Sequence, residues 1–320
     1  MIILLSLLGL SARATAQPRD SLVIAFWNVE NFFDYRSDNK PQYWTRRRFY
    51  RKCDAIAKTL LRMADRYGRM PDAVGFAEVE NAFVMRQLCS ATALRKLDYA
   101  LVHYESPDHR GIDCALLCRR STLPLLRSAP KHVLDSAGGI LATRDILLAE
   151  FDSLAILVNH HPSQLGGKDG PRRSARTRLR ELTDSLHAAG VRRTLAIGDF
   201  NEDLWAEIRR SEPADDGKGG GTVTGSGTVT GGGAVTGGGA VTGSGAGKGG
   251  GTIKYNGGWE KIDGGFAEGF SRIREEVFAD PLLLVPDAAF GGKKPRRTFV
   301  GPRYTGGVSD HLPIVFVLYY

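Results

Sequence analysis

The chain has 320 residues, 42% hydrophobic and 24% charged, a composition that excludes a wholly disordered or fibrous protein and leaves room for a substantial core. A formal charge of +8 favours anionic partners, such as nucleic acid, phosphate esters or an acidic surface, and has no bearing on the fold. The four cysteines, Cys53, Cys89, Cys114 and Cys118, show no CxxC spacing, which argues against a zinc site.

Residues 1–16 combine an apolar run, Met1 to Leu10, with the small-residue signature Ala14-Thr15-Ala16. This reads as a signal peptide cleaved before Gln17, so export to the periplasm or the medium is expected, although the positive segment usual at its start is missing. The apolar run is too short to span a bilayer. Ser21 to Trp27 is a β-rich apolar run that breaks at Asn28-Val29-Glu30-Asn31, a core strand delivering Asn28 to its end. Thr45 then reads as a helix N-cap. Phe49, Cys53, Ile56, Leu60 and Met63 follow as one helical stripe. Arg46, Arg47, Arg48, Arg51 and Lys52 make the first two turns basic, which opposes the helix dipole and points to an anion or a solvated face.

A second strand, Ala73 to Ala77, ends at Glu78-Val79-Glu80-Asn81, where Asn81 suits a cap for a helix expected over 82–97. Further strands are expected at 99–104, 112–119, 146–151 and 154–158, the last ending in Asn159-His160-His161. An arginine-rich helix is expected over 171–189. The apolar run Arg193 to Ile197 leads into Gly198-Asp199-Phe200-Asn201, where alternation sends Asp199 and Asn201 to one side and Phe200 to the other. A final strand, 313–320, follows Val308-Ser309-Asp310-His311. At least five strands thus end in small polar clusters, and convergence of those ends at one sheet edge would make an active site.

Residues 217–251 differ in kind. Within them Thr-Val-Thr-Gly or Ala-Val-Thr-Gly occurs four times with a period of six. A β-solenoid built on this repeat buries too little side chain to offset a backbone ordering cost of about 1–2 kcal/mol per residue. The segment reads as a low-complexity loop insertion with no chemistry of its own.

The ordered set Trp27-Asn28-Val29-Glu30-Asn31, Gly75-Phe76-Ala77-Glu78-Val79-Glu80-Asn81, Arg110-Gly111-Ile112-Asp113, Asn159-His160, Gly198-Asp199-Phe200-Asn201 and Ser309-Asp310-His311 resembles the endonuclease/exonuclease/phosphatase superfamily of DNase I-like enzymes. The likeness spans residues 20–320 apart from the Gly-rich tract and is nearest to a secreted branch of Bacteroidetes type. It implies an α/β fold, a four-layered sandwich of two packed β-sheets flanked by helices, in one domain over 17–320. It also implies phosphoester hydrolysis with Mg2+ or Mn2+. Nucleic acid would be the leading substrate. Lipid or sugar phosphates are the alternative, with a non-catalytic anion-binding module behind them. The protein is expected to act as a monomer without a membrane span.

The same resemblance distributes roles. Glu78, Asn28 and Asp310 would hold the metal. His311, the natural base near neutral pH, would be oriented by Asp263. Asp199 would handle the nucleophile or the leaving oxygen. Asn201 and His160 would donate to phosphate oxygens. Glu30 and Glu80 are read as supporting or solvent residues, His161 as packing, and Asp113 equally as structural or as positioning a pocket arginine. Three departures from the family pattern stand out: Gly264-Gly265 after Asp263, Glu202 after Asn201, and the insertion between the Asn201 and Asp263 motifs.

Overall fold

The computed structural model describes residues 20–38, 40–163, 169–202 and 250–320. The expected signal peptide lies outside the described residues, as do residues 217–249 of the expected insertion. In chain order the elements are β1 (Ser21–Phe32), α1 (Arg46–Tyr67), β2 (Ala73–Val79), α2 (Ala82–Ser90), β3 (Tyr99–His103), β4 (Asp113–Arg119), β5 (Arg127–Lys131), β6 (Ile146–Glu150), β7 (Leu154–His160), α3 (Asp169–Ala188) and β8 (Arg193–Asp199). The hairpin β9 (Ile253–Tyr255) and β10 (Gly258–Glu260) follows, then β11 (Asp263–Glu268), β12 (Arg272–Val277), β13 (Leu284–Pro286), β14 (Lys293–Pro295), β15 (Phe299–Val300), β16 (Arg303–Tyr304) and β17 (Ile314–Tyr319).

Two large sheets carry the architecture, with strand orders β12-β17-β1-β2-β4-β3 and β11-β8-β7-β6-β5. Their layering follows from side-chain alternation in strands buried on both faces. Along β1, Leu22, Ile24 and Phe26 point into the core between the sheets, where they meet Ile156, Val158, Leu195, Ile197 and Phe316. Val23, Ala25 and Trp27 point the other way, onto Phe49, Cys53, Ile56 and Leu60 of α1 and Val84 and Leu88 of α2. On the far side, Ala155, Leu157 and Ala196 pack against Ala175, Leu179 and Leu182 of α3. Helix, sheet, sheet, helix is the expected four-layered α/β sandwich.

Several boundaries moved for local reasons. Thr45 and Asn81 cap α1 and α2, their side chains accepting from Arg48 N–H and Val84 N–H. The single helix expected over 82–97 is broken: α2 stops at Ser90, and Thr92 caps a separate 3₁₀ turn at Ala93–Lys96 by accepting from Leu94 N–H. Within the two large sheets, three strands had no counterpart among the expected elements. β5 and β12 are partly exposed edges with polar sequence, and β11 carries Gly264 and Gly265. The glycines have a steric reason: a Cβ on Gly265 would sit 2.5 Å from the Ala196 carbonyl oxygen and 2.9 Å from the Phe316 ring. The family departure at this position therefore lets β11 lie close on β8. Among the described residues no helix is long and apolar enough to cross a membrane.

Candidate active site

Strand ends of both sheets meet at one edge. The first sheet contributes Asn28 from β1, Glu78 from β2 and the residues leading into β17. The second contributes His160 from β7, Asp199 from β8 and Asp263 from β11. β7 and β8 are parallel neighbours with His160 opposite Asp199, and β8 and β11 are antiparallel with Asp199 opposite Asp263. The β17 approach is docked onto β1 by side chains. Ser309 Oγ donates to the Asn28 carbonyl at 2.6 Å and accepts from His311 N–H at 3.0 Å, and Trp27 Nε1 donates to the His311 carbonyl at 2.9 Å.

At the centre, His311 Nδ1 lies 2.7 Å from Asp263 Oδ2, and its Nε2 lies 3.9 Å from both Asp199 Oδ2 and Asp310 Oδ1. Burial opposes charge on this ring, but Asp263, bonded to it, with Asp199 and Asp310 nearby, holds its pKa well above the usual histidine value. Burial together with the Asp263 charge pushes Asp199 up to about 7, against the pull of His311 and the Asn28 amide. His160 Nε2 lies 3.8 Å from Asp199 Oδ2; burial and the charge of Arg144 hold this ring neutral.

Asn28 Nδ2 donates to Asp199 Oδ2 at 2.9 Å and approaches Glu78 Oε1 at 3.4 Å, while its Oδ1 accepts from Glu30 N–H at 2.9 Å. The amino group of Asn28, rather than its oxygen, therefore faces the carboxylates. Asn201 Nδ2 donates to the His161 carbonyl at 2.8 Å, and its N–H donates to Asp199 Oδ1 at 3.0 Å. Phe200 points away into the α3 layer, as alternation requires. Edge-on packing of His161 against Phe200, at 5.0 Å, places that ring in the core, where burial pushes its pKa down to about 3.

Backbone strain concentrates here. Glu30, Asn31, Glu78 and Asn201 all adopt positive φ, between 46° and 63°. Such values cost of order 1–3 kcal/mol for non-glycine residues and persist where surrounding contacts over-determine them. Asn31 N–H, donating to Glu78 Oε2 at 2.7 Å, is one such contact.

Cations offset the acids. Arg110 Nη2 donates to Asn31 Oδ1 at 3.0 Å and stands 3.7 Å from Glu78 Oε2. Arg297 joins Asp310, at 3.2 Å, to Glu30, whose Oε1 accepts from its Nε at 2.7 Å. Lys52 is buried and donates from Nζ to the Glu30 carbonyl at 2.5 Å; burial pushes its pKa down to about 8. Arg297 and Lys52 carried no site role in the sequence reading. The first lies in a loop remote from every motif, and the second was counted with the basic face of α1. Glu30 proves to be a hub, bound through its carboxylate, its carbonyl and its N–H. Asp113 turns away from the cluster: its Oδ1 accepts from Ser106 N–H at 3.0 Å, fixing the loop that carries Arg110.

The donor set suits a hard divalent ion. Glu78 and Asp310 offer carboxylate oxygens beside further buried acids, and Asp199, Asp263 and His311 bring ligand atoms within 4.8 Å of one another. That crowding of carboxylates calls for positive charge beyond what Arg110 and Arg297 supply.

Similar folds occur among solved structures. A truncated TDP2 from Caenorhabditis elegans is 12% identical with a TM-score of 0.53, covering 94% of this chain and 98% of that one. A mannosyl-6-phosphatase of Bacteroides thetaiotaomicron is 14% identical with a TM-score of 0.54, covering 94% and 100%. A Danio rerio TDP2 complexed with single-strand DNA product is 16% identical with a TM-score of 0.51, covering 94% and 100%. At such identities the likeness is one of fold. No curated protein matches the chain by sequence. The model of the Endonuclease/Exonuclease/phosphatase family matches residues 23–211, more than half the chain, and the chain belongs to that family.

Proposed function

We propose that the protein is an exported, divalent-metal-dependent phosphoester hydrolase, with Mg2+ or Mn2+ as the ion and nucleic-acid phosphodiesters as the leading substrate. The observation that carries this reading is the buried line Asp263–His311–Asp199 set beside Asn28, Glu78 and Asp310, drawn from the ends of both sheets. Glu78 and Asp310 would hold the ion, together with Asn28 once its amide is turned so that the oxygen rather than the amino group faces the carboxylates. When bound, it supplies charge neutralisation on the phosphate oxygens and at the leaving oxygen.

The protein's own groups handle protons and orientation. Asp263 fixes the His311 ring through Nδ1, leaving Nε2 aimed at the space shared with Asp199 and Asp310. Proton transfer at the attacking water belongs to the His311–Asp199 pair. Within that pair His311 is the expected base, and Asp199 lies 3.9 Å from its Nε2, placed to share the proton. Neutral His160 donates from Nε2 to a non-bridging oxygen. Asn201 anchors the strand end through the His161 carbonyl and would donate from its side-chain amide to a phosphate oxygen.

A second reading, hydrolysis of sugar or lipid phosphates, is favoured by the arginines of α3. Arg172 and Arg176 pair with Glu202, and Arg178 pairs with Glu181, so this helix offers less positive charge to a nucleic acid than its composition suggests. The mannosyl-6-phosphatase named among the similar structures adds weight to it. The deciding experiment assays DNA, RNA, phosphatidylinositol phosphates, sphingomyelin, hexose phosphates and bis-p-nitrophenyl phosphate with Mg2+ and with EDTA. Absence of turnover on every substrate, or turnover that survives EDTA, defeats the proposal.

A further inference from the structure

Beside the acids lies a pocket of about 440 Å³ that the hydrolytic chemistry leaves unused. Its lining includes the charged groups of Glu30, Lys52 and Arg297 and the aromatic rings of Tyr43, Trp44 and Phe299. Tyr43 and Phe299 pack with ring centroids 4.7 Å apart, and Trp44 meets Phe299 edge-on at 5.8 Å. Arg297 links the pocket to the site, since it lines the pocket and touches both Glu30 and Asp310. A group held in it is therefore adjacent to a phosphate bound at Asp310 and His311.

The polar groups define what fits. The carboxylates of Glu30 and Asp310 together balance Arg297 and Lys52, so the pocket has no net positive charge to offer a second phosphate. Glu30 Oε2, by contrast, is buried without a hydrogen-bond partner. A buried unpaired carboxylate oxygen is costly and calls for a donor. Lys52 has three N–H donors, one of which goes to the Glu30 carbonyl. One unpaired acceptor, spare ammonium donors and an aromatic wall match a neutral ring bearing hydroxyl groups. Its hydroxyls donate to Glu30 and accept from Lys52, and its weakly positive C–H face lies on the negative ring faces of Tyr43 and Phe299.

We propose that this pocket receives the sugar ring esterified to the scissile phosphate. The assignment rests on the phosphoester-hydrolase reading and adds a substrate feature to it. A ribose of a nucleotide and the ring of a free hexose phosphate share this chemistry, and the test separates them.

The experiment measures kcat and KM for wild type, Tyr43→Ala and Phe299→Ala on a ribodinucleotide, a deoxyribodinucleotide and a hexose 6-phosphate. Esters of the same class with an n-butyl group in place of the sugar serve as controls, all with Mg2+. Tyr43 is 37% exposed, so its truncation leaves the core intact; thermal unfolding checks this for Phe299. The expected result is a rise in KM of about tenfold on the preferred sugar ester with the butyl control within about twofold, the scale of one lost aromatic contact. Preference for the ribodinucleotide over the deoxy form identifies ribose, and preference for the hexose phosphate identifies a free sugar. Equal effects on sugar and butyl esters, or none on either, overturn the pocket while leaving the hydrolase reading intact. Failure of wild type to cleave any ester overturns both.

Discussion

The acid–histidine cluster and the aromatic pocket beside it are built on opposite plans. Each member of the cluster sits at a strand end, at the irregularities where β1 and β2 leave regular pairing after Asn28 and Phe76, or on the short approach to β17 pinned by Ser309 and Trp27. The pocket is assembled from a loop before α1, one side chain of α1 itself and a C-terminal loop. Rigid strand ends suit groups whose relative positions set a reaction rate, and loops suit groups that choose what reacts. The first region should therefore govern kcat on every ester, and the second should govern KM on some.

The sharpest way to break this division is to remove the ion. EDTA should reduce turnover of all esters to background, and added Mg2+ should restore it and raise the melting temperature, since ligand binding stabilises the folded state by mass action. An unchanged melting temperature with Mg2+ would place the ion elsewhere than among these acids. Next in size, His311→Ala should lower kcat by about 10²–10⁴-fold on sugar and butyl esters alike. A loss confined to one ester class would blur the boundary between the two regions. The pocket truncations follow, at the tenfold KM effect given above.

A smaller effect separates function from stability. The pKa of Asp199 rises from 3.8 to about 7 on folding, so the folded protein holds this proton more tightly than the unfolded chain. The cost of a buried charge accrues as pH climbs from 3.8 to about 7 and stays above it. Asp199→Asn should thus abolish turnover yet, in EDTA, melt higher than wild type at pH 8, by on the order of 5 °C. That gain should shrink towards pH 4; a gain independent of pH would mean that the charge at Asp199 is not what costs stability. Activity that depends on ionised Asp199 should in turn rise with pH through about 7. Smallest of all, Asn81→Ala removes the acceptor for Val84 N–H at the start of α2, should cost about 1 kcal/mol in denaturant unfolding, and should leave kcat unchanged.

The same division explains what the sequence disclosed. Strands buried on both faces, such as β1, β7 and β8, announce themselves as apolar runs, and the break in each run marks a site residue. Edge strands β5 and β12 face solvent and read as polar loop. The β9–β10 hairpin had a usable signal in Asn256-Gly257, both at positive φ as a tight two-residue turn requires. Asp263 was reachable only through family resemblance, because nothing local in Lys261-Ile262-Asp263 indicates a histidine 48 residues away. Arg297 and Lys52 were beyond reach for a different reason. A basic side chain on a loop or helix has the same sequence signature whether it meets water or Glu30, and only the folded backbone decides.

One consequence concerns the order in which the protein is made. β17 lies inside the first sheet, between β12 and β1, and the residues just before it are Asp310 and His311. The N-terminal strands thus leave the ribosome with a gap in the sheet and without the histidine. On the proposed hydrolytic reading, a chain truncated before β17 should be inert although it holds Asn28, Glu78 and Asp199, because that strand both seals the sheet and brings in His311.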